Sequence, residues 1–117
     1  MSNLKQLAKY DFHDSLLEKI SYDKDTGKVF LEIDFCNWKQ TWYSESDEEI
    51  LMISLVFENV SDVILPVFEL NSDEILEFEL LSGKGIRLVV FNDIVDSSFE
   101  IIFNAETVEI LKAKTNG

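Results

Sequence analysis

The residues best suited to chemistry cluster near the start of the chain. Asp11-Phe12-His13-Asp14-Ser15 sets two carboxylates, an imidazole and a hydroxyl around His13, the only histidine. As a metal centre the cluster lacks the spaced ligands that zinc or iron sites use. As a Ser-His-Asp unit it fails, because neighbours in an extended chain point to opposite faces and cannot converge on one substrate. The expected role is structural: Asp14 and Ser15 bond backbone groups where a strand begins, and His13 anchors the loop by bonding local backbone or a carboxylate. Asp23-Lys24-Asp25-Thr26-Gly27 has the alternating acids of a calcium loop, but its glycine stands fifth rather than sixth and no glutamate holds the twelfth place. Gly27-Lys28 and Gly83-Lys84-Gly85 lack the spacing of a phosphate-binding loop and open no helix. Cys36, the single cysteine, has Asp34 and apolar neighbours nearby and no identifiable cationic partner, which fits a buried, inert thiol. No catalytic residue, metal ligand or cofactor site is expected from these patterns.

A binding surface is the alternative to a reaction centre. Asn37-Trp38-Lys39-Gln40-Thr41-Trp42-Tyr43 is the densest aromatic stretch, and Glu45, Asp47, Glu48 and Glu49 follow it directly. If extended, Trp38 and Trp42 share one strand face, where they either cap an end of the core or form an aromatic anchor rimmed by acids, as in an interface hot spot. Glu77 and Glu79 share another strand face, and so do Glu32 and Asp34. Directly opposed like charges cost a sheet roughly a few tenths of a kcal/mol per pair, so a sheet that accumulates them is expected to keep them for a partner.

The whole chain leans the same way. It has 117 residues and a formal net charge of −13. Residues 1–40 hold six lysines against seven acids, whereas residues 41–117 hold four basic residues against sixteen acids. Between Lys39 and Lys84 there are eleven carboxylates and no cation. Such a field repels phosphate backbones and anionic membranes, so neither nucleic acid nor membrane is an expected partner. A basic protein is, because a field of one sign speeds encounter with the other. A solubilising surface is the plainer reading of the same charges.

These residues must be positioned by a β-sheet. Hydrophobic residues make up 46% of the chain and aromatics 12%, which excludes general disorder and supplies one core without disulfides. The first residues carry no apolar run of the signal-peptide kind, and no apolar run approaches the ~20 residues of a membrane span; a cytoplasmic protein is expected. Leu4, Leu7 and Ala8 predict a short helix over 2–10 capped by Ser2. Period-two alternation then predicts strands at 16–22, 28–36, 50–58, 75–81, 86–91, 98–103 and 107–112. The second of these is preceded by a hairpin whose Gly27 takes the left-handed position. The 50–58 strand is apolar on both faces, which predicts cover on both sides or a place under the helix. Pro66 interrupts 60–70, predicting a connection or a short edge segment with a turn near 61–66, and the tail from Ala113 is expected to fray. Seven strands with hairpin-type turns and no internal repeat predict one mainly β domain, residues 1–117, built as an antiparallel β-sandwich or a partly open barrel with a short N-terminal helix.

Tyr10-Asp11-Phe12-His13-Asp14-Ser15, leading into a strand, resembles the start of several families of small bacterial β-rich proteins, some grouped with the immunity proteins of polymorphic toxin systems. Leu55-Val56-Phe57-Glu58-Asn59-Val60 is similar to a strand-end pattern in the same proteins. The resemblance covers only these two short runs. It implies an intracellular protein that binds and neutralises a cognate toxin, and it carries no residue roles. The expected function is therefore a non-catalytic acidic binding protein, an immunity-type inhibitor covering a basic toxin. Trp38, Trp42, Tyr43, Glu45, Asp47, Glu48, Glu49, Glu77 and Glu79 form its expected contact surface. A structural module, homodimeric along an open sheet edge, is the alternative, followed by a carboxylate-lined ligand binder or hydrolase.

Overall fold

Alternating apolar side chains build eight antiparallel strands, described in a computed structural model over residues 4–65 and 72–114. They are β1 (Leu16–Asp23), β2 (Lys28–Cys36), β3 (Ile50–Glu58), β4 (Ser61–Ile64), β5 (Asp73–Leu80), β6 (Gly85–Asn92), β7 (Ser97–Asn104) and β8 (Thr107–Lys114). One continuous sheet contains them all, in the order β4-β7-β6-β5-β1-β2-β3-β8. The protein is mainly β, as the alternation predicts.

The sheet is sharply curled. Phe57 on β3 and Phe103 on β7 meet edge to face with ring centroids 4.9 Å apart, although four strands lie between their own. In a flat sheet those strands would be about 24 Å apart, at ~4.8 Å per step. The bend falls at β1 and β5, which share only two pairs, Leu16 with Glu74 and Leu17 with Asp73. Both strands are bulged beside that joint, between Leu17 and Lys19 and between Ile75 and Glu77. Bulges increase local twist and let a strand turn a corner. The two halves thus face each other like a sandwich while one hydrogen-bonded sheet runs through both. Leu31, Ile33, Phe35, Ile53 and Leu55 line one wall, and Ile75, Ile86, Leu88 and Ile101 the other, all essentially solvent-free.

The halves are built alike, and no sequence repeat announces it. Each is a three-strand meander, β1-β2-β3 or β5-β6-β7, and each borrows its fourth strand from the other's continuation: β8 joins β3, and β4 joins β7. The registers agree. Glu58 lies opposite Thr107 in one half, and Asn104 lies opposite Ser61 in the other. The Val60 N–H donates to the Gly27 carbonyl at 2.9 Å, and the Ala105 N–H donates to the Lys84 carbonyl at 3.0 Å. Phe57 and Phe103 hold equivalent register positions, opposite Val29 and Ile86, and touch each other across the core.

Several expectations are corrected. The N-terminal helix is a 3-10 turn over Leu4–Lys9, with Leu4 and Leu7 buried and Ala8 exposed. The i, i+3 spacing fits the three-residue period of that helix, so Ala8 loses the contact that an α-helix would give it. The turn lies against β5 rather than β3. The outer face of β3 is therefore half-exposed, with Met52, Ser54 and Val56 in partial contact with solvent. An eighth strand, β4, occupies the start of the stretch read as a connection with a turn near 61–66. It is the short edge segment, and Ser61 opposite Asn104 seats it on β7. The tail expected to fray at Ala113 continues β8 to Lys114 through backbone pairing with β3. Ser2, Pro66 and residues 115–117 lie outside the described residues. Gly27 takes a φ of 67°, as the hairpin requires.

Candidate functional site

The run from Tyr10 to Ser15 is a strap, and its chemistry is spent on the fold. Phe12 is buried, stacked on Phe78 at 4.5 Å and edge-on to Phe35 at 5.3 Å. The Ser15 hydroxyl, fully buried, accepts the Cys36 N–H at 2.9 Å. Asp14 takes a left-handed φ of 70°, which short polar side chains tolerate, and its N–H donates to the Ile75 carbonyl at 3.0 Å. The Ile75 N–H donates in turn to the Ser15 carbonyl at 2.8 Å, tying the strap to β5. His13, just ahead of β1, donates its N–H to Asp11 Oδ1 at 3.0 Å and holds Nδ1 3.3 Å from Asp14 Oδ1. Its position is the strand-start anchor that the sequence suggests. Lys39 Nζ bonds Asp14 Oδ2 at 3.0 Å, and chiefly through that bond it keeps the Asp14 carboxyl below the usual aspartate range. Cys36 is half-buried rather than buried, with Sγ 3.5 Å from the Asp14 carbonyl.

This strap supports the aromatic end of the sheet. Two buried amides, Asn37 and Gln40, are its hinges. Gln40 Oε1 accepts the Asp11 N–H at 3.0 Å, and its Nε2 donates to the carbonyls of Asp11 at 2.9 Å and Cys36 at 3.0 Å. Asn37 Nδ2 donates to the Glu48 carbonyl at 2.7 Å, and Asn37 Oδ1 accepts the Trp42 indole N–H at 3.1 Å. The Trp38 N–H donates to the Glu49 carbonyl at 3.1 Å. The acidic loop is therefore fastened back onto the turn that carries the tryptophans.

Trp38 and Trp42 do not share a strand face. Trp38 belongs to a 3-10 turn, Asn37–Lys39, and Trp42 to the loop that follows, because the chain leaves the sheet at Cys36. They are nonetheless 54% and 44% exposed, which places them at the surface rather than in the core. Trp42 is edge-on to Tyr10 at 5.4 Å. Lys112 holds Nζ 5.1 Å from the Tyr10 ring centre and 5.9 Å from that of Trp42. Glu45, Asp47, Glu48 and Glu49 are all exposed on the same loop. Partial burial first, then the charges of Glu49, Asp47 and Glu45, push the Tyr43 hydroxyl above the ordinary tyrosine range. A hollow of about 250 Å³ opens between Trp42, Asn37, Leu51 and the loop residues Ser46, Asp47 and Glu48.

Glu77 and Glu79 are not part of this end. The β5 bulge turns them to the outer face of the other half, where Arg87 Nη1 lies 3.0 Å from Glu77 and 3.4 Å from Glu79 while its Nε bonds Glu100. Their charge is already answered there. Sequence reading missed Tyr10, Asn37, Gln40 and Lys112; the amides so near two tryptophans were the available signal.

One further carboxyl is perturbed. Asp34, on the outer face of β2, is pushed up to about 6 by partial burial first, then by a hydrogen bond with Glu18 and the charges of Glu18 and Glu32. Between the ordinary value of 3.8 and about 6, the folded chain holds a proton that the unfolded chain has released. Its stabilising contribution is therefore complete below that window and is lost as pH rises through it. Asp34→Asn should raise stability at pH 7–8 by roughly 1 kcal/mol after allowance for solvent screening. It should also flatten the stability profile between pH 4 and 6, as checked by melting temperature against pH for both proteins.

No family model, curated protein or solved structure matches the chain. No described helix is long and apolar enough to cross a membrane.

Proposed function

We propose that this chain is a non-catalytic binding protein whose Trp38–Glu49 end docks a basic protein, in the manner of an immunity-type inhibitor on its toxin. The observation that carries the reading is the exposure of both tryptophans beside four exposed carboxylates, on a loop held at its base by Asn37. Exposed indoles supply the apolar anchor of a hot spot, and the carboxylates steer a cationic partner toward it.

The test is affinity capture from the native cell, followed by kinetics with the captured protein. A basic partner is expected, with an association rate that falls at least tenfold as salt rises and the ~8–10 Å Debye length shortens. Glu48→Lys with Glu49→Lys should slow association while leaving the melting temperature in place, because exposed charges contribute little to folding. Trp38→Ala should act on dissociation instead, raising it by roughly 30-fold. Capture of only neutral or acidic proteins, or kinetics indifferent to these changes, would sink the reading.

Edge-to-edge homodimerisation through β8 is the second reading, favoured by the eight-residue length of that outermost strand. Lys112 weakens it. Opposite buried Ile53 in register, it faces the inside of the sheet, a device by which edge strands discourage pairing.

A further inference from the structure

The two outer faces of the sheet differ in a way that the loop site does not explain. On the β5-β6-β7-β4 half, Arg87 is bound by Glu77, Glu79 and Glu100. On the β1-β2-β3-β8 half, apolar side chains stand among the outward rows, Phe30 beside Val56 and Met52 one row from Leu111, with Ser54 between them. Phe30 is 41% exposed and Leu111 48%, and a hollow of about 260 Å³ lies between Phe30, Ser54, Ser21 and the Lys19 and Glu32 pair. Carboxylates flank these side chains and outnumber the cations. Glu18, Glu32 and Asp34 lie on one side and Glu109 on the other, while Lys19 is held 3.4 Å from Glu32 and Lys28 shares the outward face of β2.

We propose that this outer face docks an amphipathic helix of a partner protein, with its apolar stripe over Phe30 and Leu111 and lysines or arginines flanking that stripe. The apolar side chains call for an apolar stripe, and the hollow has room for a large side chain. The rim decides the charge. Covering carboxylates without supplying cations leaves them desolvated and unpaired, so the occupant must bring positive charge. A second copy of the chain fails this requirement, because it would set one carboxylate rim against another at −13 per chain. The raised Asp34 carboxyl agrees, since it lies beside two acids and the nearby lysine is taken by Glu32. The surface is separate from the Trp38–Glu49 end, and the proposal stands or falls without it.

The test is a titration of the full chain with a 14-residue helical peptide of leucine and lysine, leucines at i, i+3, i+4 and i+7, at physiological salt. A peptide with glutamate in place of lysine is the comparison. Saturable binding of the lysine peptide alone is expected, with amide shifts centred on Phe30, Ser54 and Leu111. Phe30→Ser and, separately, Leu111→Ser should each weaken it about tenfold. Both replace outward side chains, and unchanged circular dichroism would show that the fold is kept. Glu48→Lys with Glu49→Lys should change the affinity by less than twofold, which separates this face from the loop. No binding at millimolar peptide, or binding lost in the loop variant and kept in Phe30→Ser, would overturn the proposal. So would a concentration-dependent dimer abolished by Phe30→Ser, which would make a second copy the occupant.

Discussion

Phe57→Ala and Phe103→Ala should each remove roughly 3–5 kcal/mol of stability, the usual cost of emptying a phenylalanine site that cannot collapse. Neither ring has any measurable exposure, and they touch at 4.9 Å. Each ring belongs to a different half of the sheet, so each truncation opens a gap in the same place from opposite sides. The two losses should therefore be similar, and the double replacement should cost less than their sum because both variants share one cavity. Urea denaturation followed by tryptophan emission and by far-ultraviolet circular dichroism would measure this. The two probes should report one coincident transition, since both tryptophans sit in one half while strands of both halves give the dichroism. A loss under about 1 kcal/mol for either variant, or two separate transitions, would contradict the shared core.

Gln40→Leu is the second large effect expected. The side chain is only 7% exposed and serves three backbone groups of Asp11 and Cys36. Leucine keeps most of the volume and none of the hydrogen bonds, leaving partly buried backbone groups unanswered. The expected loss is about 2–4 kcal/mol, from penalties of ~1–3 kcal/mol for each unsatisfied group, partly relieved by water. Gln40→Glu separates polarity from shape: it keeps the acceptor for Asp11 N–H but turns a carboxylate toward two carbonyls. It should destabilise at neutral pH and recover in part under acid, when the carboxyl can donate again. Near-ultraviolet dichroism should weaken in both variants, because Tyr10 and Trp42 depend on the strap that Gln40 holds. A chevron or urea midpoint within 0.5 kcal/mol of the parent would show that the strap is held by other means.

The strands that alternate cleanly were legible in the amino-acid pattern. The second and third appear at 28–36 and 50–58, as their alternation and apolar content suggest. The bulges were not, because skipping one residue at Glu18 or Leu76 changes which side chains face inward without altering composition. The exchange of fourth strands was invisible for a related reason: β4 and β8 find their partners across the whole chain, and local periodicity carries no such address. The loop from Trp38 to Glu49 could be read because its parts are contiguous. Glu77 and Glu79 were grouped with it by charge alone, and the distant Arg87 that answers them decides otherwise. Lys112 escaped notice because a lysine at the end of a strand looks like a solvated tail until Tyr10 and Trp42 are found beneath it.

The reciprocal placement of β4 and β8 also sets a timetable. The outer edge of β3 receives no strand until residues 107–114 arrive, although its inner edge pairs with nearby β2. A growing chain therefore carries an exposed, largely apolar edge while residues 59–106 are added, at the stage when stray pairing is most hazardous. Because β8 must cross from the far half to close it, the decisive contacts span long loops, and folding is expected on the slow side for a domain of this size. The acidity bears on that stage as well. Nascent chains that all carry the same strong sign repel one another while the edge is open, which opposes stray pairing of the unfinished chain.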